Sequence, residues 1–187
     1  DYLNLIEELD LGPNIAYLAP HGNIRLIAMG LDDKQATADE LKDMERILEQ
    51  CIEEGAFGIS TGMIYPPCYY AKTDEFIALG KILSKRDAIF VTHQRSESDN
   101  LLNSMDEILT IGRQSNCRIH FSHFKVAGKK NWAKLPEAMK KLDEAQSQGI
   151  VTSFDQYPYI AGSTMMGAIL PPWAHKGGND KLLERLQ

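Results

Sequence analysis

The sequence predicts a parallel α/β fold of the kind that closes into a (β/α)8 barrel. Three observations carry this. Short apolar runs alternate with amphipathic helical patterns, the runs recur roughly every 30 residues, and polar residues collect at the C-terminal ends of the runs. The apolar runs fall at 14–19, 56–60, 88–92, 118–122 and 150–154. From the second run onward the spacing is that of a strand plus a crossover helix.

The helices between the runs are marked by their ends. Thr37 followed by Glu40 forms a capping box ahead of one apolar face made of Leu41, Met44, Ile47, Leu48, Cys51 and Ile52. Gly55 supplies the left-handed residue that commonly ends a helix. Thr73 is expected to cap the next helix, with Asp74 and Glu75 in the first turn, where the helix dipole favours acid. A third helix is built on Leu101, Leu102, Met105, Ile108 and Leu109, and a fourth opens at Pro136. No glycine-rich dinucleotide or phosphate-loop motif follows any run, so a nucleotide-binding sheet has no support.

Composition narrows the function. The 187 residues are 43% hydrophobic and 25% charged, as in an ordinary globular protein. The net charge of −6 argues against a general nucleic-acid-binding role. Cys51, Cys68 and Cys117 are odd in number and form no C-x-x-C pair, so a disulfide framework is not expected and a reducing, cytoplasmic location is. No apolar run is long enough to span a bilayer. The start without Met and the helix-like run at 180–187 lead to the expectation of a piece of a longer protein.

Strand alternation points to the chemistry. Ile89, Val91 and His93 share one face of a strand, and by the same count Ile119, Phe121 and His123 share one face of the next. Each histidine then ends an apolar row at the C-terminal strand edge, where barrel active sites collect. Neighbouring strands about 4.8 Å apart would let the two imidazoles share a metal ion at about 2.0–2.1 Å from each nitrogen; a pair of hydrogen-bonded structural histidines is the alternative. His120 has the opposite parity and is expected to face the helices. His175, in a glycine-rich loop, is expected in solvent. His21, in Pro20-His21-Gly22, reads as turn-stabilising rather than as a site residue. In the last strand Val151, Ser153, Asp155 and Tyr157 fall in register.

Five segments, in order along nearly the whole chain, resemble motifs of the D-aminoacylase (N-acyl-D-amino-acid deacylase) family of the amidohydrolase superfamily. They are 14–30 (NIAYLAPHGNIRLIAMG), 55–67 (GAFGISTGMIYPP), 92–97 (THQRSE), 122–125 (SHFK) followed by Asn131-Trp132, and 155–164 (DQYPYIAGST). The resemblance implies an amidohydrolase barrel with a small added domain that hydrolyses the amide of N-acyl-D-amino acids using zinc, as one or two ions. This chain would supply about strands three to seven. Residues 1–170 would form the central part of the barrel and 171–187 the truncated start of a small inserted segment.

By motif, His93 and His123 match metal-binding histidines, Lys125 a lysine that binds the substrate carboxylate, Tyr157 and Ser163 substrate-contacting residues, and Ile64 and Tyr65 the lip of the side-chain pocket. A lysine and hydroxyls suit these tasks chemically. Asp155 is a candidate orienting partner for a ligand histidine. Arg95 and Glu97 are either site residues or an ion pair with each other. The family's His-x-His, its metal-ligating cysteine and its catalytic aspartate have no counterpart here and would lie outside residues 1–187. Cys68 is not that cysteine and reads as a packed loop thiol.

The expectation is therefore a loosely held or incomplete metal site, and no activity from these residues alone. The implied partner is a small N-acyl amino acid, with no nucleic acid and no membrane. Open sheet edges would favour self-association. A dihydroorotase-like cyclic amidase, or a non-catalytic half-barrel completed by another chain, are the competing readings.

Overall fold

The computed structural model describes residues 2–9 and 11–187. A short helix α1 (Tyr2–Glu7) leads to strand β1 (Leu18–Pro20), which runs directly into helix α2 (His21–Met29). Then follow α3 (Ala38–Glu53), β2 (Gly58–Gly62), α4 (Thr73–Lys85), β3 (Ile89–His93), α5 (Leu101–Ser115), β4 (Arg118–Phe121), α6 (Leu135–Ser147), β5 (Thr152–Phe154) and α7 (Asn179–Leu186). The strands pair in sequence order, β1-β2-β3-β4-β5, and every pairing is parallel. This is the partial barrel that the strand spacing predicts, with both edge strands unpaired among the described residues.

Register divides the sheet into two faces. Ala19, Ile59, Phe90, Ile119 and Thr152 form one row across all five strands, and all are buried against the helices. The next row, Pro20, Ser60, Val91, His120 and Ser153, points the other way and is only part-covered, with Ser153 exposed. The helical side packs α3, α4 and α5 through Met44, Leu48, Phe76, Leu79, Leu83, Met105 and Ile108, all fully buried. Burying such side chains is worth roughly 1.5–3 kcal/mol each. It fixes the sheet's outer face and leaves its concave face for chemistry.

Helix α3 starts as the sequence predicts. Thr37 accepts the Glu40 N–H, and the Glu40 carboxylate accepts the Thr37 N–H. Lys34, foremost, and Thr37 hold the Glu40 carboxyl down to about 2. Helix α4 differs: Lys72 is its N-cap and Thr73 is the first helical residue, its hydroxyl donating to Glu107 instead. The first strand is shorter than the apolar run at 14–19 and ends in Pro20, which cannot donate to a ladder. Residues 171–187 form a short 3-10 turn (Pro172–His175) and α7, joined to the rest by Tyr70 Oη donating to the Pro172 carbonyl.

Gly58 shows how close the strands run. A Cβ there would strike the Ile89 carbonyl oxygen and lie 2.8 Å from Ile89 Cγ2 on the paired strand. Gly58→Ala is expected to destabilise the protein by about 1–3 kcal/mol through overpacking against backbone. A thermal melt checks this, and an unchanged Tm would mean the strands have room to part.

Candidate metal centre

The C-terminal edge of β3 and β4 brings two imidazoles together. His93 is the last residue of β3, paired with Gly62 of β2. Strand β4 stops at Phe121, and His123 lies two residues beyond it with φ +40. His93 Nδ1 and His123 Nε2 face each other at 2.9 Å. Glu97 Oε1 lies behind His123, 2.8 Å from Nδ1, and its other oxygen accepts from Lys125 Nζ at 2.6 Å. His93, Glu97 and His123 each place a ligand atom within 4.8 Å of the others, forming the metal-capable cluster of the described residues.

Proton logic assigns roles within this cluster. With Glu97 taken as the partner of His123 Nδ1, that nitrogen carries the proton it donates to the carboxylate, and Lys125 Nζ, 2.8 Å from the same nitrogen, is then a second donor beside it. That leaves the His123 Nε2 lone pair aimed at His93 Nδ1. Burial pushes His93 down to about 4, with the charges of His123 and Lys125 adding to this and Glu97 opposing it. Two nitrogens sharing a tetrahedral zinc at 2.0–2.1 Å lie roughly 3.3 Å apart. The observed pair is a few tenths of an ångström tighter, and neutral imidazole nitrogens are borderline-soft donors suited to zinc. The donor set fits, with Glu97 as the carboxylate that orients a ligand histidine through its far nitrogen.

The route to this arrangement corrects the parity count. His120 pairs with Val91, so it lies on the concave face with His93 and not towards the helices. Continued alternation would turn His123 outward. Because the ladder ends at Phe121 and His123 takes a left-handed backbone, its ring returns to the concave side. Phe124 anchors the turn: it is buried, packs on Phe121 and Phe154, and its N–H donates to the Asp155 carbonyl.

No family model matches the chain. N-acyl-D-aspartate deacylase of Alcaligenes xylosoxydans xylosoxydans is 37% identical over 167 residues, which is 89% of this chain and 33% of that protein. D-aminoacylase of the same organism is 34% identical over 166 residues, 89% of this chain and 34% of its own length. The crystal structure of N-acyl-D-glutamate deacylase from Bordetella bronchiseptica, complexed with zinc and a phosphonate inhibitor that mimics the tetrahedral intermediate, matches with a TM-score of 0.82 at 32% identity. That match covers 84% of this chain and 33% of that one. The chain belongs to the D-aminoacylase family of amidohydrolases. It spans about a third of the length of the relatives it matches.

Other residues singled out from the D-aminoacylase motifs gather unevenly around the histidines. The Tyr65 ring lies 5.2 Å from that of His93, and its hydroxyl is 2.7 Å from Thr164 Oγ1. Ile64, beside it, is half-buried. Lys125 Nζ sits 5.4 Å from the Tyr157 ring centroid, and the Tyr157 ring is 6.5 Å from His123. Tyr159 is 74% exposed, which favours Tyr157 as the inward tyrosine. Ser163 is exposed and makes no hydrogen bond among the described residues; its neighbour Thr164 meets the Tyr65 hydroxyl.

Arg95 and Glu97 are not paired with each other. Arg95 Nε donates to Glu107 at 2.7 Å, and its other nitrogens cap the carbonyls of Met63, Tyr69 and Ala71. It thereby staples the loop that carries Ile64 and Tyr65. His175 is not free in solvent: its Nε2 lies 2.9 Å from the Gly167 carbonyl. His21 is fully buried between Thr61 and Glu75, and Cys68 is buried beside it, which supports structural roles for both. Neither Glu97 nor Glu75 stood out in the sequence as a partner, because each meets its histidine across a long separation in the chain.

Proposed function

We propose that this chain supplies part of the metal centre and of the substrate-carboxylate site of a zinc-dependent N-acyl-D-amino-acid deacylase. The observation that carries this is the His93 Nδ1–His123 Nε2 convergence at the C-terminal edge of adjacent parallel strands, with Lys125 alongside. His93 and His123 would hold the ion, and Glu97 would keep the His123 tautomer correct. Zinc held there supplies Lewis acidity and an activated water for amide hydrolysis. Lys125 and Tyr157 would hold the substrate carboxylate, with Ser163 as a further hydroxyl contact to the substrate. Tyr65 and Ile64 would border the side chain of the amino acid.

The remaining ligands and the proton-transferring aspartate are assigned to chain outside residues 1–187. The isolated 187 residues are therefore expected to bind zinc weakly and to be inactive, since catalytic zinc usually takes three protein ligands. The unpaired edges of β1 and β5 keep one second reading, a half-barrel completed by another chain. A cytoplasmic location agrees with three unpaired cysteines. Among the described residues no helix is long and apolar enough to cross a membrane.

The test is hydrolysis of paired N-acetyl-D- and N-acetyl-L-amino acids by the protein that carries this chain, with and without a zinc chelator. Turnover of the D series alone, lost on chelation and restored by zinc, is expected. Zinc-loaded protein that leaves every N-acyl-D-amino acid intact would overturn the reading.

A further inference from the structure

We infer that Asp155, backed by His120 and Ser153, is a positioning residue that holds the His123 imidazole in place through the His123 backbone. The inference rests on the metal-centre reading above. It concerns residues that do not themselves reach toward the paired imidazole nitrogens.

His123 occupies the left-handed region, which costs a residue with a side chain about 1–3 kcal/mol that surrounding contacts must offset. The turn also takes its N–H out of the β4 ladder. Asp155 Oδ1 accepts that N–H at 2.6 Å. The Asp155 backbone closes the same turn from both sides: its N–H donates to the Phe121 carbonyl, and its carbonyl accepts from Phe124. The three bonds bracket His123 between the end of β4 and the residue after β5.

The carboxylate is itself held. Asp155 Oδ2 lies 2.8 Å from His120 Nε2, and His120 Nδ1 lies 2.8 Å from Ser153 Oγ. A carboxylate can only accept, so His120 Nε2 donates. With a neutral ring, Nδ1 then accepts from the Ser153 hydroxyl. Ser153 and His120 are register partners on the concave face, and Asp155 follows two residues later. The chain Ser153–His120–Asp155–His123 N–H thus runs along the strand ends to the candidate ligand. Glu97 fixes the same imidazole through Nδ1, so the ring is held from behind and its backbone from below.

The test is zinc affinity by chelator competition, and the electronic spectrum of the cobalt-substituted protein, in the protein that carries this chain. Outer partners of metal ligands typically change affinity 10–100-fold. Asp155 has a 58% exposed side chain, so the lower end applies, and Asp155→Ala is expected to weaken zinc about tenfold and to shift the cobalt bands. Asp155→Asn keeps an oxygen for the His123 N–H and is expected to restore most of the affinity. His120→Leu, which frees the carboxylate, should fall between the two.

A purely structural Asp155 would lower Tm while leaving the folded protein's zinc affinity and cobalt spectrum at wild-type values, and that result overturns the inference. If Asp155→Ala does not fold, His120→Leu decides, with wild-type affinity and spectrum again overturning it. His93→Ala is the separate control: wild-type zinc affinity in that variant would overturn the metal centre itself. Loss of zinc in His93→Ala together with unchanged binding in Asp155→Ala would overturn the positioning role alone.

Discussion

Truncating Glu75 to alanine is expected to cost about 3–5 kcal/mol of stability, because it strands a buried guanidinium. Arg25 is fully buried and Glu75 is 5% exposed. The two meet through Arg25 Nη1 at 3.1 and 3.3 Å from the carboxylate oxygens. Arg25 spends its other donors on the carbonyls of Pro67 and Lys34, at 3.1 and 2.6 Å. Glu75 also accepts from His21, whose second nitrogen lies 3.0 Å from Thr61 Oγ1. One carboxylate from the first turn of α4 therefore holds His21 and Arg25 of α2, which in turn reach Thr61 of β2 and the Pro67 carbonyl in the loop after it.

Burial opposes charge on His21, but hydrogen bonds with Cys68 and Glu75 win and raise it above 6.5. A raised value means the stabilisation is fully present below pH 6.5 and is lost as pH rises through the folded-state value. The cost of Glu75→Ala should accordingly be greatest on the acid side of neutrality and shrink as pH rises. Glu75→Gln, which keeps an acceptor but no charge, should cost less than alanine. Urea unfolding across this pH range is the measurement. A loss below about 1 kcal/mol would mean that water or a rearranged carbonyl already serves Arg25.

The same cluster shows what the sequence could and could not say. Glu75 reads naturally as an acid in a helix first turn, and it does occupy that place. Its heavier task, neutralising a residue 50 positions earlier, leaves no local trace. The strands were legible from their spacing because each must be followed by a helix of similar length. The α3 cap was legible because both of its bonds join residues three apart. His93 was placed correctly because alternation holds along β3 to its last residue. Alternation failed at β4, where it was carried past Phe121 into a turn. It set His123 on the right face for the wrong reason and His120 on the wrong face. Periodicity describes a ladder only while its hydrogen bonds continue, and functional residues gather where the ladder stops.

On the proposed deacylase reading, Lys125→Met in the protein that carries this chain should lower kcat/KM for N-acyl-D-amino acids by roughly 10–1000-fold, about 1.4–4 kcal/mol of transition-state stabilisation. The Lys125 side chain is 23% exposed, and its ammonium donates to Glu97 Oε2 at 2.6 Å. It also lies 2.8 Å from His123 Nδ1. With the Nδ1 proton given to Glu97 Oε1, that last contact is donor against donor and is not a hydrogen bond. The ammonium therefore keeps two protons for an incoming carboxylate, and the Tyr157 ring beneath it favours the cation. A substrate carboxylate entering a part-dry pocket without such a partner would lose several kcal/mol of solvation. Methionine preserves length and removes the charge, but it also takes a cation away from Glu97 and could disturb His123. The comparison substrate separates these effects. An N-acyl-D-amino amide presents no carboxylate, so it should lose far less than the acid from the same substitution. Equal losses for acid and amide, with weakened zinc binding, would assign Lys125 to the support of Glu97 and His123, and the substrate carboxylate would then be bound by another group.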